Sequence, residues 1–226
     1  MFLGTDNKMK WGRLAVALVV TAVLVVMGLV WFDAPVLLFM RGLDCRFWQL
    51  MGKIFDEKIW TAAFAVAVLV VYIKKSLKSK IKFKNDRNRF SLVAFLRDFW
   101  LKTKGSNVFF IFCSILCTGV VVELAKVFIG RTRPILFEAL EFRGFFPPSF
   151  DWVFNSMPSG HTAISFAALV MIGMLAPRAK PLTWTLAILI GVSRVCVGAH
   201  WPTDVILGAF IGMVVADIVK WRLARL

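Results

Sequence analysis

Histidine is almost missing from this chain: His161 and His200 are its only two imidazoles in 226 residues. Acidic side chains are few as well, 13 against 28 basic ones, and all charged residues together make up only 18% of the composition. A soluble domain carries about 25% charged residues, so the deficit excludes that class. Cysteine, four in number, supplies no disulfide framework, because Cys113, Cys117 and Cys196 fall inside apolar segments and Cys45 in a connecting loop. Cys113 and Cys117 share a helix face by their spacing and read as small core residues, not a metal pair. Internal repeats, low-complexity tracts and a second domain are absent, so residues 1–226 read as one domain.

What is abundant is apolar sequence, 59% of the residues with a mean hydropathy of +0.77. A helix that crosses a bilayer needs roughly 17–25 mostly apolar residues. Residues 14–32 meet this with no charge at all, whereas 59–73 and 106–122 are shorter and rely on Lys58, Lys74, Lys104 and Lys126 to snorkel. Runs at 162–176, 182–199 and 205 to about 221 follow with short connections. The expected fold is all-α, a polytopic bundle of six transmembrane helices. The first run is too long and uniform for a secretory signal, and "WFDAPVLL" offers no small-x-small cleavage site, so it is expected to be retained.

Lys and Arg are held on the cytoplasmic side of short loops, and their distribution sets the orientation. "KKSLKSKIKFKNDRNRF" and its continuation to Lys104 hold 11 of the 28 basic residues, making 74–105 a basic cytoplasmic linker. Lys8, Lys10 and Arg13 before the first helix agree with Arg178 and Lys180 between the fourth and fifth. Both termini are therefore expected in the cytoplasm of a plasma (bacterial inner) membrane, with loop 131–160 and the turn at His200 facing the periplasm or exterior. The net charge of +15 comes without a nucleic-acid-binding motif and crowds at membrane ends, so anionic lipid headgroups are the expected partner. Within the linker, "RFSLVAFLRDFWLK" puts Leu92, Phe95, Leu96 and Phe99 on one face, as an amphipathic helix on the inner surface would.

Charges near the outer helix ends cluster. "ELAKVFIGRTRP" carries Lys126, Arg131 and Arg133, "PSGH" opens the fourth helix, and "SRVCVGAHWPTD" ends the fifth with Arg194, His200 and Asp204. Any single Lys or Arg here reads as a headgroup anchor. The set reads as an anion site: Lys126, Arg133 and Arg194 are cations, Ser159 offers a hydroxyl, and the amides of Gly160 and His161 start a helix whose dipole favours phosphate. Two imidazoles add chemistry. His200 precedes Asp204 by four residues, so with Pro202 in the first turn the carboxylate can turn back, fix the tautomer and leave the other nitrogen as a nucleophile. His161, at the helix entrance, can protonate the departing oxygen.

These residues resemble the type 2 phosphatidic acid phosphatase superfamily of lipid phosphate phosphatases. The resemblance rests on Lys126, six residues, then Arg133-Pro134; on Pro158-Ser159-Gly160-His161; and on Ser193-Arg194, five residues, His200, three residues, Asp204. It covers about 126–221 by motif. The resemblance implies a phosphohistidine on His200 with Asp204 as its partner and His161 as general acid. It also implies a phosphate pocket of Lys126, Arg133, Ser159, Gly160 and Arg194. It implies no metal and no cofactor, in keeping with three cations that neutralise charge and with the lack of a carboxylate cluster in the sequence.

The expected substrate is a membrane lipid phosphate: undecaprenyl diphosphate, phosphatidylglycerophosphate, phosphatidic acid or lipid A phosphate. "ILFEALEFRGFFPPSFDWVF" carries seven Phe and Trp residues and would lie in the headgroup layer, favouring a lipid that arrives sideways. Glu141 and Arg143 in that loop read as a headgroup contact or as a solvated pair. A phosphotransferase using the same intermediate and a non-catalytic lipid-binding protein are the alternatives. The motifs leave oligomeric state open.

Overall fold

Apolar segments of this length must satisfy their backbone internally, and a helix does so within one segment. The computed structural model describes residues 1–4, 6–78 and 92–225 and is all-α; among these residues the only strand-like pairings are isolated bridges at Leu3–Met9 and Arg131–Phe145. Helix α1 (Trp11–Met27) runs through a π-helical turn, Gly28–Phe32, into α2 (Asp33–Arg41), forming one rod of 31 residues. It is followed by α3 (Arg46–Ile54), α4 (Glu57–Lys78), α5 (Leu92–Thr103), α6 (Asn107–Ile129), α7 (Pro134–Leu140), α8 (Gly160–Leu175), α9 (Lys180–Cys196) and α10 (Pro202–Leu223).

The expected span 14–32 falls on α1 and the π-helical turn, and the other five fall on α4, α6, α8, α9 and α10, with 182–199 running past the end of α9 at Cys196. By length and composition the rod Trp11–Arg41, α6 and α10 can each cross a membrane, while α8 is apolar but only 16 residues long. Helix α6 continues past residue 122, the expected end, to Ile129, so Lys126 sits within its last turn instead of flanking it. In the basic linker, Lys80, Lys82, Lys84, Arg87 and Arg89 lie outside the described residues. The amphipathic segment is α5, whose Phe95 and Phe99 pack on Tyr72 of α4 while Leu92 and Leu96 stay exposed.

Helix α8 is the centre of the bundle, packed against α4, α6, α9 and α10. Its Ile164, Phe166, Leu169 and Met171 meet Ile115 of α6 and Ile190 of α9 in the main core. The closest approach is to α10, where Gly208 and Gly212 form a small-xxx-small pair. A side chain at Gly208 would run into the carbonyl of Ser159, and one at Gly212 into that of Ala163. The α1 rod, by contrast, leaves Val16, Val19, Val23 and Val26 exposed as lipid-facing surface.

What ties the rod to the bundle is polar. Arg131, just beyond α6, is 5% exposed and donates to Asp33 Oδ2 at 2.6 Å, to Asp204 Oδ1 at 2.5 Å and to Thr203 Oγ1 at 2.7 Å. Asp33 in turn accepts from the Thr203 amide at 3.0 Å and its hydroxyl at 2.6 Å. The guanidinium lies 5.1 Å from the Trp201 ring. Three helix ends, those of α2, α6 and α10, thus share one buried cation. Removing it would strand two buried carboxylates, a loss of about 3–5 kcal/mol. Arg131→Ala is expected to lower the thermal unfolding temperature of the detergent-purified protein sharply; an unchanged transition would show that water replaces the guanidinium without cost.

Candidate active site

The clamp fixes the turn that carries His200. Trp201 is the N-cap of α10, Pro202 occupies its first position, and Asp204 Oδ2 accepts from the Trp201 amide at 3.0 Å. His200 is 2% exposed, and its Nδ1 donates to the carbonyl oxygen of Ser156 at 2.8 Å. Asp204 Oδ2 lies 3.6 Å from the same nitrogen, beyond hydrogen-bond length, because it already accepts from Ser156 Oγ at 2.5 Å and from Trp201. The tautomer expected from Asp204 is therefore set directly by a backbone carbonyl, with Asp204 holding the segment that supplies it. Nε2 is left for the cavity. Burial pushes the imidazole down to about 4, outweighing the pull of Asp204 and assisted by the nearby charges of Arg133 and Arg194.

The cavity in front of His200 holds about 500 Å³. Lys126, Arg133, Gly160, His161, Arg194 and His200 all line it, so six of the eight expected residues meet. Ser159 and Asp204 stand one layer behind: both are fully buried, and the Ser159 hydroxyl accepts from Thr162 Oγ1 at 3.0 Å as the N-cap of α8. Arg133 spends three of its five N–H groups on the carbonyls of Trp152 (3.0 Å), Ala199 and Asn155 (both 3.2 Å), which leaves two free. Trp152 also stacks under that guanidinium at 4.3 Å. Arg194 passes over Gly52 of α3, where a side chain would collide with it, and its Nε is buried without a partner. Glu141 and Arg143 lie outside the cavity lining.

The wall is not made of cations alone, as the motifs suggest. Asp56, Glu57 and Glu123 line it too, the last paired with Lys126 at 2.7 Å. Glu57 Oε2 sits where a side chain on Gly160 would begin. No motif names these residues; the available signal was three carboxylates bordering apolar runs, where an ionisable group is costly. Among the described residues no three His, Cys, Asp or Glu side chains come together as a metal-ligand set. Below Glu57, Lys58 and Glu123 the cavity borders an apolar groove between α4 and α6, floored by Ala65, Leu116, Gly119 and Ile164.

Residues 107–225 match the model of the PAP2 superfamily. The chain is 37% identical over 103 residues to a lipid A 1-phosphatase of Rhizobium etli, covering 46% of this chain and 44% of that one. It is 36% identical over 78 residues to phosphatidylglycerophosphatase B of Escherichia coli, covering 31% and 30%. The chain thus spans less than half the length of these curated relatives. Among solved structures, a transmembrane PAP2-type phosphatidylglycerolphosphate phosphatase from Bacillus subtilis aligns over 94% of this chain and 96% of its own, at 14% identity and a TM-score of 0.49.

His161→Ala leaves His200 as the sole imidazole, so histidine-selective 15N labelling reads its titration directly. A midpoint near pH 4 is expected; one at the ordinary value of about 6.5 would mean that water reaches the ring or that Arg133 and Arg194 do not face it.

Proposed function

This chain belongs to the PAP2 superfamily, and on that premise we propose that it is a membrane lipid phosphate phosphatase working through a phosphohistidine at His200. The observation that carries the reading is the meeting of Lys126, Arg133 and Arg194 with both histidines around one cavity that borders an apolar groove. The phosphate sits among Lys126, the spare N–H groups of Arg133, the guanidinium of Arg194 and the amides that open α8, and these cations neutralise it. His200 Nε2 forms the P–N bond as the P–O bond to the lipid breaks, and His161 gives its proton to the departing oxygen. Water then attacks phosphorus, His161 takes the proton back, and the P–N bond breaks to release phosphate. Asp204 and Ser156 keep the His200 ring in place throughout.

The lipid tail lies in the α4–α6 groove, and Phe145, Phe146, Phe150 and Trp152, all exposed, rest in the headgroup layer beside the cavity. The substrates are lipid A phosphate and phosphatidylglycerophosphate, which the relatives' names carry, with phosphatidic acid and undecaprenyl diphosphate in the same class. Residues 1–226 act as one domain of six spans with both termini cytoplasmic and the cavity on the outer face of the plasma membrane.

Purified protein is expected to release phosphate from this lipid panel in the presence of EDTA, to be inhibited by vanadate, and to lose all turnover as His200→Ala. Activity lost in EDTA and restored by Mg²⁺ would sink the metal-independent mechanism. For orientation, cysteines placed singly at Phe150 and Leu77, 84% and 80% exposed, in a Cys45→Ala background separate the two sides. A membrane-impermeant thiol reagent on intact cells should label the first and spare the second; the reverse pattern overturns the topology.

A further inference from the structure

His161 has a carboxylate on each side, and both come from a segment that the family model does not reach. Asp56 Oδ2 lies 3.2 Å from His161 Nε2, and Glu57 Oε2 lies 3.8 Å from Nδ1. The first distance is a hydrogen bond and the second is not. We propose that Asp56 is the positioning residue of the second histidine: it binds Nε2–H, favours the charged form of the ring over the neutral one, and thereby turns Nδ1 toward the leaving oxygen. The inference rests on the phosphatase reading above and adds a residue to it.

The neighbours make such a partner necessary. Arg194 from α9 and His200 from the α9–α10 turn act on His161 across the cavity, which Lys126 from α6 and Arg133 also line. Burial first, and then each positive charge, opposes a second proton on the ring; Asp56 pulls the other way, and the dianionic phosphate of a bound substrate adds to that pull. Glu57 and Glu123 oppose them in turn, but Glu57 is drawn to Gly160 and Lys126, and Glu123 is paired with Lys126. Asp56 alone touches the ring. Although burial works against it, the Lys58 amide and His161 together hold its carboxyl below the ordinary carboxylate range, so it is ionised at neutral pH.

The step balances. The Nδ1 proton moves to the leaving oxygen with the electron pair of the breaking P–O bond, and the Nε2 proton stays on Asp56's side as the ring becomes neutral. That neutral ring is then the base for the incoming water. His200 is arranged as the mirror image, held at Nδ1 by a carbonyl and presenting Nε2.

Asp56 also has a structural duty, since its Oδ1 accepts from the Lys58 amide at 2.9 Å at the start of α4. Asparagine caps a helix as well as aspartate does, so Asp56→Asn preserves the cap through Oδ1 and puts an NH2 group where the Oδ2 acceptor faced His161, removing both the charge and the hydrogen bond. On a lipid monophosphate, Asp56→Asn is expected to lower kcat about 10- to 100-fold, part of the 10²–10⁴-fold that a general acid contributes. On p-nitrophenyl phosphate, whose phenolate leaves unaided, the loss should stay below about threefold, since a general acid matters little for a good leaving group. The ratio of variant to wild-type rate cancels substrate ionisation and should fall as pH rises through neutrality, while Asp56→Glu restores part of the rate. Equal losses on both substrates, or a ratio flat with pH, would overturn the role of Asp56. Wild-type protein that releases no phosphate from any lipid would instead overturn the phosphatase reading beneath it.

Discussion

One buried guanidinium holds the architecture in register. Arg131 is shared by Asp33 and Asp204, which lie 98 and 73 residues from it along the chain, and through Thr203 it closes a ring of hydrogen bonds. Such a network adds little stability over a well-packed apolar alternative, because desolvating three charges costs about as much as pairing them returns. Its value is positional. With one oxygen of Asp204 committed to Arg131 and the other to Ser156 and Trp201, the carboxylate has no freedom left, and the segment carrying Ser156 is fastened under the His200 ring. A lipid-facing rod with few buried side chains is thereby locked to the catalytic end of the bundle by the one aspartate it buries.

The second constraint is how closely α8 and α10 approach. Gly208 and Gly212 let the backbones touch, and the Ser159 amide donates to the Asp204 carbonyl at 3.0 Å across that contact. The helix start that carries Gly160 and His161 is consequently set against the helix start that carries Asp204, rigid element against rigid element. Lys126 and Arg194 reach into the cavity from α6 and α9, and their long side chains tolerate small errors of placement that short ones would not.

Reading outward from the residues, the helices under the six apolar runs and the six cavity residues were legible because each follows from local pattern, apolar runs for the first and motif spacing for the second, whereas α2, α3 and α7 carry no such run. Ser159 was legible as a member of its motif but not as a cap, since a serine before Gly-His serves either purpose until Thr162 is seen to reach it. Arg131 looked like one more headgroup anchor, because its partners lie 98 and 73 residues away. The Ser156 carbonyl could not be foreseen, as backbone acceptors carry no sequence signature. Asp56 and Glu57 were hidden for a similar reason: a short acidic pair before an apolar run is ordinary at a membrane boundary, and only the packing of α4 against α8 brings it to His161. Local periodicity and motif spacing are written in the chain, whereas long-range polar pairing is not.

The two histidines show what that pairing accomplishes. They share a cavity, yet one rests its Nδ1 on a neutral carbonyl, while the other leans on a carboxylate. A carbonyl can orient an imidazole without favouring its charge; a carboxylate does both. The same side chain is thus divided into an electron-pair donor and a proton donor by what stands behind it, and the proposed reaction needs one of each. Had Asp204 touched His200 directly, as its spacing suggests, both rings would have been backed by carboxylates and the distinction would have been weaker. Committing Asp204 to Arg131, Ser156 and Trp201 keeps it at one remove, so the clamp that orders the fold also keeps the surroundings of the proposed acid and the proposed nucleophile distinct.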